Sequence, residues 1–375
     1  MITRKLQSLV EERLFKGKAI VILGPRQTGK TTLLRQIEEG SGKRCTILNC
    51  DNIDIRKLLT EPVISDLTRI IGDSEIVMID EAQRVLNIGL TLKLITDQIS
   101  ETQLIVTGSS SLDLSNLINE PLTGRKFEYQ LFPVSFAEMC EETGYLETRR
   151  RLDNYIIYGT YPDIINNPGN ETEILKNLIS SYLYKDVFNF QDIRKPEFID
   201  KLLEALALQV ASEVSFNELA RLLGTNPNTV ERYIGLLEKA FIIFRLRSFS
   251  RNARNELKKS RKVYFYDNGV RNAILGNFTP LKGRTDAGRL WENWFIAERM
   301  KYLHYNRIYA ASYFWRTAQQ QEIDYVEEIN GKLTAFEIKM NPLKQVRFPL
   351  SFTKNYPDAE CKIVNTDSFA EFLGV

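Results

Sequence analysis

Histidine is scarce in this sequence, paired cysteines and long apolar runs are missing, and each of these features argues against a class of protein. The chain has 375 residues but a single histidine, His304. One histidine argues against His-rich metal sites and HExxH proteases, so catalysis would depend on Asp, Glu, Lys, Arg, Ser or Thr. The four cysteines form no CxxC pair, which excludes the usual zinc ribbon and indicates no disulfide framework.

Charge of one sign is scarce as well. The formal net charge is only +2, so any basic surface for nucleic acid must be local. No apolar run reaches the ~18 residues that a membrane span needs. Residues 1–18 mix charged and apolar side chains, which predicts an amphipathic helix rather than a signal peptide. We therefore expect a cytoplasmic protein without a membrane partner.

Short apolar runs alternate with helical patterns in the first third of the chain. Continuous Val, Ile and Leu runs are typical of parallel strands that are buried on both faces. This alternation predicts an α/β fold with a doubly wound parallel sheet. The four predicted strands are Ala19–Leu23, Thr46–Asn49, Ile76–Ile79 and Leu104–Thr107.

A phosphate-binding loop follows the first predicted strand. Residues 24–31 match GxxxxGK[ST] and precede a helical pattern, which is the strand–loop–helix context that the motif requires. Lys30 is expected to contact the β- and γ-phosphates of ATP, and Thr31 to bind Mg²⁺. The residues predicted to bind the nucleotide are Gly24, Pro25, Arg26, Gln27, Thr28, Gly29, Lys30, Thr31 and Thr32.

Two carboxylates end the strand Ile76–Ile79. Ligands of such sheets bind at the carboxyl ends of the strands, so Asp80 is expected to hold Mg²⁺ and Glu81 to polarise the attacking water. The next predicted strand is followed by small polar residues, of which Ser109 is the candidate sensor of the γ-phosphate. An ordinary turn is the alternative interpretation of that small-residue run.

The words GPRQTGKTT, VMIDEAQ, VTGSSS and LTGRKFEYQLFPVSFAE together resemble a group of bacterial and archaeal AAA-type ATPases. Members carry a C-terminal domain of unknown function with winged-helix and nuclease-like parts. The resemblance implies a P-loop parallel sheet (AAA core) with a helical lid, a winged helix and a C-terminal restriction-endonuclease-like α/β domain. The expected domains are the core at 1–135, the lid at 136–209, the winged helix at 210–262 and the nuclease-like domain at 263–375.

Two further site residues are implied by this resemblance alone. Arg125 matches the family's glycine–arginine pair and would act as an arginine finger, for which a neighbouring subunit would be needed. A surface arginine paired with Glu128 is the alternative. Pro162 matches a glycine–proline motif of related lids, where the proline packs on adenine, and the alternative there is a plain turn.

A helix-turn-helix is predicted in the middle of the chain. Ser215 and Glu218 form a capping-box pattern, and Asn226-Pro227 starts a second helix. The window 245–262 holds eight basic residues and one acid, a local footprint for phosphate. A solvated face or a protein-binding winged helix explains the pattern equally well. The candidate nucleic-acid contacts are Asn228, Thr229, Arg232, Arg245, Arg247, Arg251 and Arg254.

The C-terminal region carries the order of acids and lysine found in PD-(D/E)xK nucleases. Asp324 is followed by Glu337 and Lys339, which alternation places on one face of a strand, and Glu292 lies on a preceding helix. The carboxylates would hold Mg²⁺, and Lys339 would stabilise a pentavalent phosphate. An inactive fold kept for binding, or coincidence, are the alternatives.

These patterns together predict an Mg-ATP-hydrolysing AAA enzyme that controls a DNA- or RNA-binding, nuclease-like module. An ATP-dependent switch or scaffold, which binds a protein partner or a second copy of the chain, is the competing hypothesis. A small-molecule kinase is a third interpretation, since the P-loop alone allows it.

Overall fold

The computed structural model describes residues 2–109, 118, 121–188, 196–250 and 261–375. The chain divides into two compact units. The first contains Met1–Val134 with Lys239–Phe241, and the second contains Ser135–Glu238 with Ile242–Val375.

The first unit is a five-stranded parallel sheet with helices between its strands. Its sheet order is β2-β3-β4-β1-β5, and every neighbouring pair is parallel. The strands are β1 (Ala19–Leu23), β2 (Cys45–Asn49), β3 (Ile76–Asp80), β4 (Gln103–Gly108) and β5 (Lys126–Gln130). The helices are α1 (Lys5–Glu11), α2 (Lys30–Ser41), α3 (Ile53–Leu59), α4 (Ile64–Ile71) and α5 (Ile88–Gln98).

Burial explains which strands the sequence could reveal. All residues of β1, β3 and β4 are buried, as expected of central strands covered on both faces. The predicted α/β parallel sheet is confirmed. The edge strand β5 was not predicted, because its residues KFEYQ are half-exposed and carry no apolar run.

The N-terminal helix is shorter than the predicted span of residues 1–18. It covers only Lys5–Glu11. Phe15 and Gly17 then take positive φ angles of 58° and 71°, which a right-handed helix cannot accommodate. Within the described residues, none of the helices combines the length and apolar character needed to cross a bilayer.

Helices dominate the first part of the second unit. They are α6 (Phe136–Thr143), α7 (Tyr145–Arg150), α8 (Leu152–Tyr158), α9 (Pro162–Asn166), α10 (Glu171–Phe188), α11 (Pro196–Leu208), α12 (Phe216–Leu222) and α13 (Pro227–Lys239). Later helices are α14 (Asn268–Ile274), α15 (Ala287–Tyr305) and α16 (Leu350–Asn355), and a 3-10 turn covers Phe369–Leu373.

A mixed seven-stranded sheet joins the rest of this unit, with the order β12-β11-β10-β9-β7-β8-β6. Its strands are β6 (Glu213–Val214), β7 (Ile243–Ser248), β8 (Arg261–Phe265), β9 (Ala311–Arg316), β10 (Glu322–Ile329), β11 (Lys332–Ile338) and β12 (Glu360–Val364). β7 pairs with β8 on one side and with β9 on the other. The domain boundary predicted between residues 262 and 263 therefore falls inside β8, and one sheet runs across it.

Candidate nucleotide site and lysine–carboxylate cluster

The P-loop connects β1 to α2 and depends on two glycines. A Cβ atom on Gly24 would lie 2.2 Å from the carbonyl oxygen of Leu131, so no other residue fits there without a backbone shift. Gly29 precedes α2 with a φ of 91°, which favours glycine. The loop therefore leads into the N-terminus of α2, a place where backbone N–H groups and the helix dipole favour anions.

Buried polar side chains hold this loop in shape. Lys30 is only 4% exposed, and its Nζ donates to the carbonyl oxygens of Gly24 (3.0 Å) and Pro25 (2.8 Å). Arg4, which is 5% exposed, donates from Nη1 to Thr28 O (2.6 Å) and from Nη2 to a carbonyl beyond β5. Sequence reasoning missed Arg4, because both of its acceptors are backbone atoms far away along the chain.

Asp80 is the centre of the site. The Thr31 hydroxyl donates to Asp80 Oδ2 (2.7 Å), and the Thr107 hydroxyl donates to Asp80 Oδ1. Asp80 is 1% exposed, so both bonds form away from bulk water. The two predicted magnesium ligands, Thr31 and Asp80, are thus brought together by α2 and β3. Thr107 was not singled out from the sequence, although it ends the apolar run of β4.

Glu81 and Ser109 are connected through a residue that the sequence analysis did not use. Gln83 Nε2 donates to Glu81 Oε2 (2.7 Å) and to Ser109 Oγ (2.8 Å). Glu81 has a φ of 55°, and its backbone N–H donates to Thr107 Oγ1 (3.2 Å). Gln83 lies two residues after Glu81 in the word DEAQ, and this proximity was the available signal. The structure therefore joins the candidate water-activating carboxylate to the candidate phosphate sensor.

Arg125 lies at the end of the sheet where β1 begins, opposite to the end that carries the P-loop. Its carbonyl oxygen accepts from Ala19 N (2.9 Å) at the start of β1, whereas the P-loop follows the other end of β1, about 17 Å along the strand. Arg125 Nε binds Asp97 (2.7 Å), so the alternative pairing with Glu128 is wrong. Glu128 pairs with Lys126 instead. A finger role for Arg125 would need a P-loop on a second copy of the chain.

Pro162 belongs to the second unit and is the first residue of α9. The preceding Gly159 has a φ of 75°, and a Cβ atom there would lie 1.9 Å from Asp267 Oδ1. Asp267 Oδ2 accepts the backbone N–H of Thr160 (2.8 Å). The glycine is thus required by close packing within this unit, and the adenine contact of Pro162 stays a prediction.

The four candidate nuclease residues also converge. Lys339 Nζ donates to Asp324 Oδ2 (2.6 Å) and lies 2.9 Å from Glu337 Oε2. The N–H of Ile338 donates to the same Asp324 oxygen (2.8 Å). Alternation along β10 and β11 predicted this meeting of the Asp, Glu and Lys side chains.

A second lysine completes this lysine–carboxylate cluster. Lys262, from β8, is 2% exposed and contacts Glu292 Oε1 (3.2 Å) and the carboxylate of Glu322. Tyr264 OH donates to the same Glu292 oxygen (2.8 Å). We call Glu292, Glu322, Asp324, Glu337, Lys262 and Lys339 the lysine–carboxylate cluster. Among the described residues, no three His, Cys, Asp or Glu side chains are arranged to hold a metal ion.

Burial sets the proton affinities of the cluster. It raises the pKa of Glu292 to about 7 against the opposing effect of Lys262. Burial and the neighbouring Asp324 raise the pKa of Glu337 to about 7. Burial alone would lower the pKa of Lys339, but Asp324 and Glu337 raise it above its usual value. The two lysines therefore stay charged and partly neutralise the four acids.

The predicted helix-turn-helix segments are helical. Ser215 Oγ accepts from Glu218 N (3.3 Å) at the start of α12, and Asn226 Oδ1 accepts from Thr229 N (2.9 Å) at the start of α13. Asn228 and Arg232 are exposed on α13, and Thr229 is half-buried. Arg251 and Arg254 lie outside the described residues.

Three arginines share the face of β7 and β8 that lies opposite Lys262. Arg245 binds Glu238 with two guanidinium nitrogens, so it is held by a carboxylate in place of a phosphate. Arg247 is exposed and directly opposite Arg261 in the strand register. Burial and the charges of Arg245 and Arg247 lower the pKa of Arg261. Like charges opposite each other destabilise a sheet, which makes this pair a favourable place for an anion.

Family models match three stretches of the chain. Residues 16–140 match an AAA domain, residues 149–281 a domain of unknown function (DUF8612), and residues 287–372 another domain of unknown function (DUF4143). The N-terminal third of the chain thus matches the model of an AAA domain, which is a nucleotide-binding class. Lys262 and Tyr264 come from the second stretch, while Glu292, Asp324 and Glu337 come from the third.

Three relatives match along most of this chain, and each is named as an uncharacterized protein. An uncharacterized protein of Mycobacterium tuberculosis is 26% identical over 90% of this chain and 73% of its own length. One of Haemophilus influenzae is 26% identical over 91% and 88%, and one of Methanocaldococcus jannaschii is 26% identical over 95% and 82%.

Two solved structures match this chain distantly. Drosophila ORC bound to AT-rich DNA and Cdc6 matches with a TM-score of 0.28 and 11% identity, over 73% of this chain and 90% of that one. A Pif1 helicase on forked duplex DNA matches with a TM-score of 0.24 and 14% identity, over 48% and 52%. At such TM-scores, neither match bears on the function of this chain.

Proposed function

We propose that the first unit binds and hydrolyses Mg-ATP and couples the turnover to a nucleic-acid-binding second unit. The observation that carries the ATPase part is the bond between Thr31 Oγ1 and Asp80 Oδ2 (2.7 Å), next to a buried P-loop lysine. A hydroxyl and a carboxylate at this distance are the oxygen ligands that Mg²⁺ takes in P-loop sites.

The residues present fit the nucleotide as well as the metal. Lys30 Nζ is bonded to two carbonyl oxygens of its own loop. It can transfer from them to the phosphate oxygens of a bound nucleotide with little movement. Bound Mg²⁺ would supply charge neutralisation of the β- and γ-phosphates. Thr31 and Asp80 would orient it, while Thr107 keeps the Asp80 carboxylate in place.

The proton and water chemistry is assigned to the three linked side chains. Glu81 orients and polarises the attacking water, and Ser109 donates a hydrogen bond to the γ-phosphate or to that water. Gln83 fixes the Glu81 carboxylate relative to Ser109 through the two hydrogen bonds that its Nε2 donates. Because charge develops on the transferred phosphoryl group, such fixed donors lower the barrier without reorganisation.

Steady-state ATP hydrolysis by the full chain tests the assignment. Lys30→Ala should abolish activity, and Glu81→Gln should bind ATP while hydrolysing it at least about a hundredfold more slowly. Lys16→Ala and Glu39→Gln are matched controls, since both side chains are exposed in the same unit. Wild-type hydrolysis by both Lys30→Ala and Glu81→Gln would contradict the site.

Nucleic-acid binding is supported by the opposed pair Arg247 and Arg261 at the end of β7 and the start of β8. We infer that this pair contacts backbone phosphates, with Asn228 and Arg232 of α13 contributing from the helix-turn-helix. The ATPase rate should be compared with and without single-stranded DNA, duplex DNA and RNA. A steep loss of binding with salt supports phosphate contacts. No affinity at low salt would favour the protein-binding switch or scaffold.

Nucleic-acid cleavage is a second candidate, favoured by the convergence of Asp324, Glu337 and Lys339. A metal ion does not fit the observed arrangement, because Lys339 and Lys262 lie between the carboxylates. We therefore derive no metal-dependent step at this cluster. Incubation of DNA and RNA with Mg²⁺ or Mn²⁺ tests cleavage, and activity that survives Asp324→Ala combined with Lys339→Ala would exclude this site as its source.

A further inference from the structure

A cavity of ≈470 Å³ lies in the second unit at the end of the mixed sheet where β7 and β9 finish. It has the size of small-molecule sites, which run from ~300 to ~1,000 Å³. The residues that matter for its chemistry are Phe249, Trp315, Arg316, Gln320, Asn355 and Tyr356. None of the proposed functions described above uses this volume, which we call the sheet-end cavity.

The lining combines flat aromatic groups with hydrogen-bonding groups. Tyr356 is half-buried and packs edge-on against Phe249, with ring centroids 5.3 Å apart. Gln320 and Asn355 are exposed residues of the lining, and the Gln320 amide oxygen accepts from Arg316 Nη2. Within the described part of the chain, the buried Nε of Arg316 has no hydrogen-bond partner. A planar ligand with a polar edge fits such a lining, because one face stacks while the edge accepts hydrogen bonds.

The cavity is directly connected to the lysine–carboxylate cluster. Arg316 Nη1 lies 3.1 Å from Glu213 Oε2 and 3.5 Å from Glu322 Oε2. Glu322 in turn contacts Lys262, which contacts Glu292. One ion-paired chain therefore runs from the cavity wall into the cluster.

The strand register puts the cationic pair at the same end of the sheet. Arg247 is the second-last residue of β7, and Arg261 is the first residue of β8. Ser248, the last residue of β7, lines the cavity and lies beside Phe314 of β9. Arg247 and the lining residue Ser248 are consecutive, so the arginine pair and the cavity lie within reach of one nucleic-acid strand.

We propose that the sheet-end cavity takes an unpaired base of a single-stranded nucleic acid held by Arg247 and Arg261. The inference rests on the proposed nucleic-acid function and adds the substrate class. Tyr356 stacks on the base, while the Nε of Arg316 and the amide nitrogens of Gln320 and Asn355 bind its edge. Duplex bases are excluded, because their faces are stacked on neighbours and their edges are paired.

Fluorescence anisotropy with the full chain tests this choice, using a labelled single-stranded oligonucleotide and the blunt duplex of the same sequence. The wild type should prefer the single strand. Tyr356→Leu keeps an apolar side chain against Phe249 but loses stacking, and should weaken single-strand binding about tenfold while leaving duplex binding unchanged. Tyr309→Leu is the matched control, because Tyr309 is 90% exposed in the same unit. Asn355→Ala, an exposed change that leaves the core intact, should weaken single-strand binding several-fold.

The outcomes separate this inference from the function on which it rests. Equal single-strand and duplex affinity, with no effect of Tyr356→Leu or Asn355→Ala, overturns the cavity assignment. If binding is then still lost in Arg247→Ala combined with Arg261→Ala, the nucleic-acid function stands without the cavity. A wild type that binds neither oligonucleotide at low salt overturns both.

Discussion

Replacing Gln83 by alanine should slow ATP hydrolysis without weakening ATP binding. The change removes two donors, one to the Glu81 carboxylate at 2.7 Å and one to Ser109 Oγ at 2.8 Å. A hydrogen bond to a charged group is worth about 1.5–3 kcal/mol. If that bond positions Glu81 in the transition state, kcat should fall by roughly tenfold to a hundredfold. KM for ATP should stay near the wild-type value, because the two hydrogen bonds of Gln83 go to Glu81 and Ser109, neither of which belongs to the P-loop.

Initial rates over a range of ATP concentrations give this separation of kcat from KM. Gln98→Ala is the control, since Gln98 is exposed in the same unit and shares no bond with the site. Gln83→Glu should be slower still, because a second carboxylate would repel Glu81. An unchanged kcat in Gln83→Ala, or a raised KM with normal kcat, would refute the positioning role. A faster rate would mean that Gln83 restrains Glu81 instead.

Three further perturbations test the packing around the sites. Arg4→Met should raise KM for ATP and lower the free energy of unfolding by about 3 kcal/mol in urea melts, because two buried carbonyl groups lose a charged donor; the exposed Arg69→Met should do neither. Gly159→Ala should lower the melting temperature of the full chain by several degrees through its clash and positive φ, whereas Gly235→Ala, in open space on α13, should raise it slightly. Burial lowers the pKa of His304 to about 4. The unfolded chain then binds a proton between pH 6.5 and 4 that the folded chain refuses, so stability should fall by up to about 3 kcal/mol as pH drops through this window. The single imidazole gives one NMR titration curve, and a midpoint near 6.5 would contradict its burial.

The nucleotide site could be predicted because its signals are local. Lys30 and Thr31 belong to one loop, and Asp80 ends a continuous apolar strand, so spacing and burial together indicated where they meet. Arg4 could not be found in this way. It binds carbonyl oxygens, which every residue possesses, and no side-chain pattern marks them.

Lys262 shows the corresponding failure in the second unit. The sequence analysis counted it among the eight basic residues of the window 245–262, which was interpreted as a footprint for phosphate with a solvated face as an alternative. Alternation along β8 sends Arg261 to one face and Lys262 to the other, and the pairing of β7 with β9 makes that second face internal. Only the non-local strand order decides this, and no local pattern reports it. For Arg125, likewise, the alternative interpretation paired it with the nearby Glu128, whereas its observed partner Asp97 is 28 positions away.

The pairing of β7 with β9 determines whether the chain can be divided into separately folding fragments. A cut between residues 281 and 287, where the two regions of unknown function meet, would separate β7 from its neighbour β9. The N–H and C=O groups on that side of β7 would then form an unpaired strand edge that can pair with other chains. The cut would also remove the acids that neutralise Lys262 and leave its charge buried without a partner carboxylate. Each fragment would then be prone to aggregate. The two regions are therefore better regarded as one structural unit than as exchangeable modules.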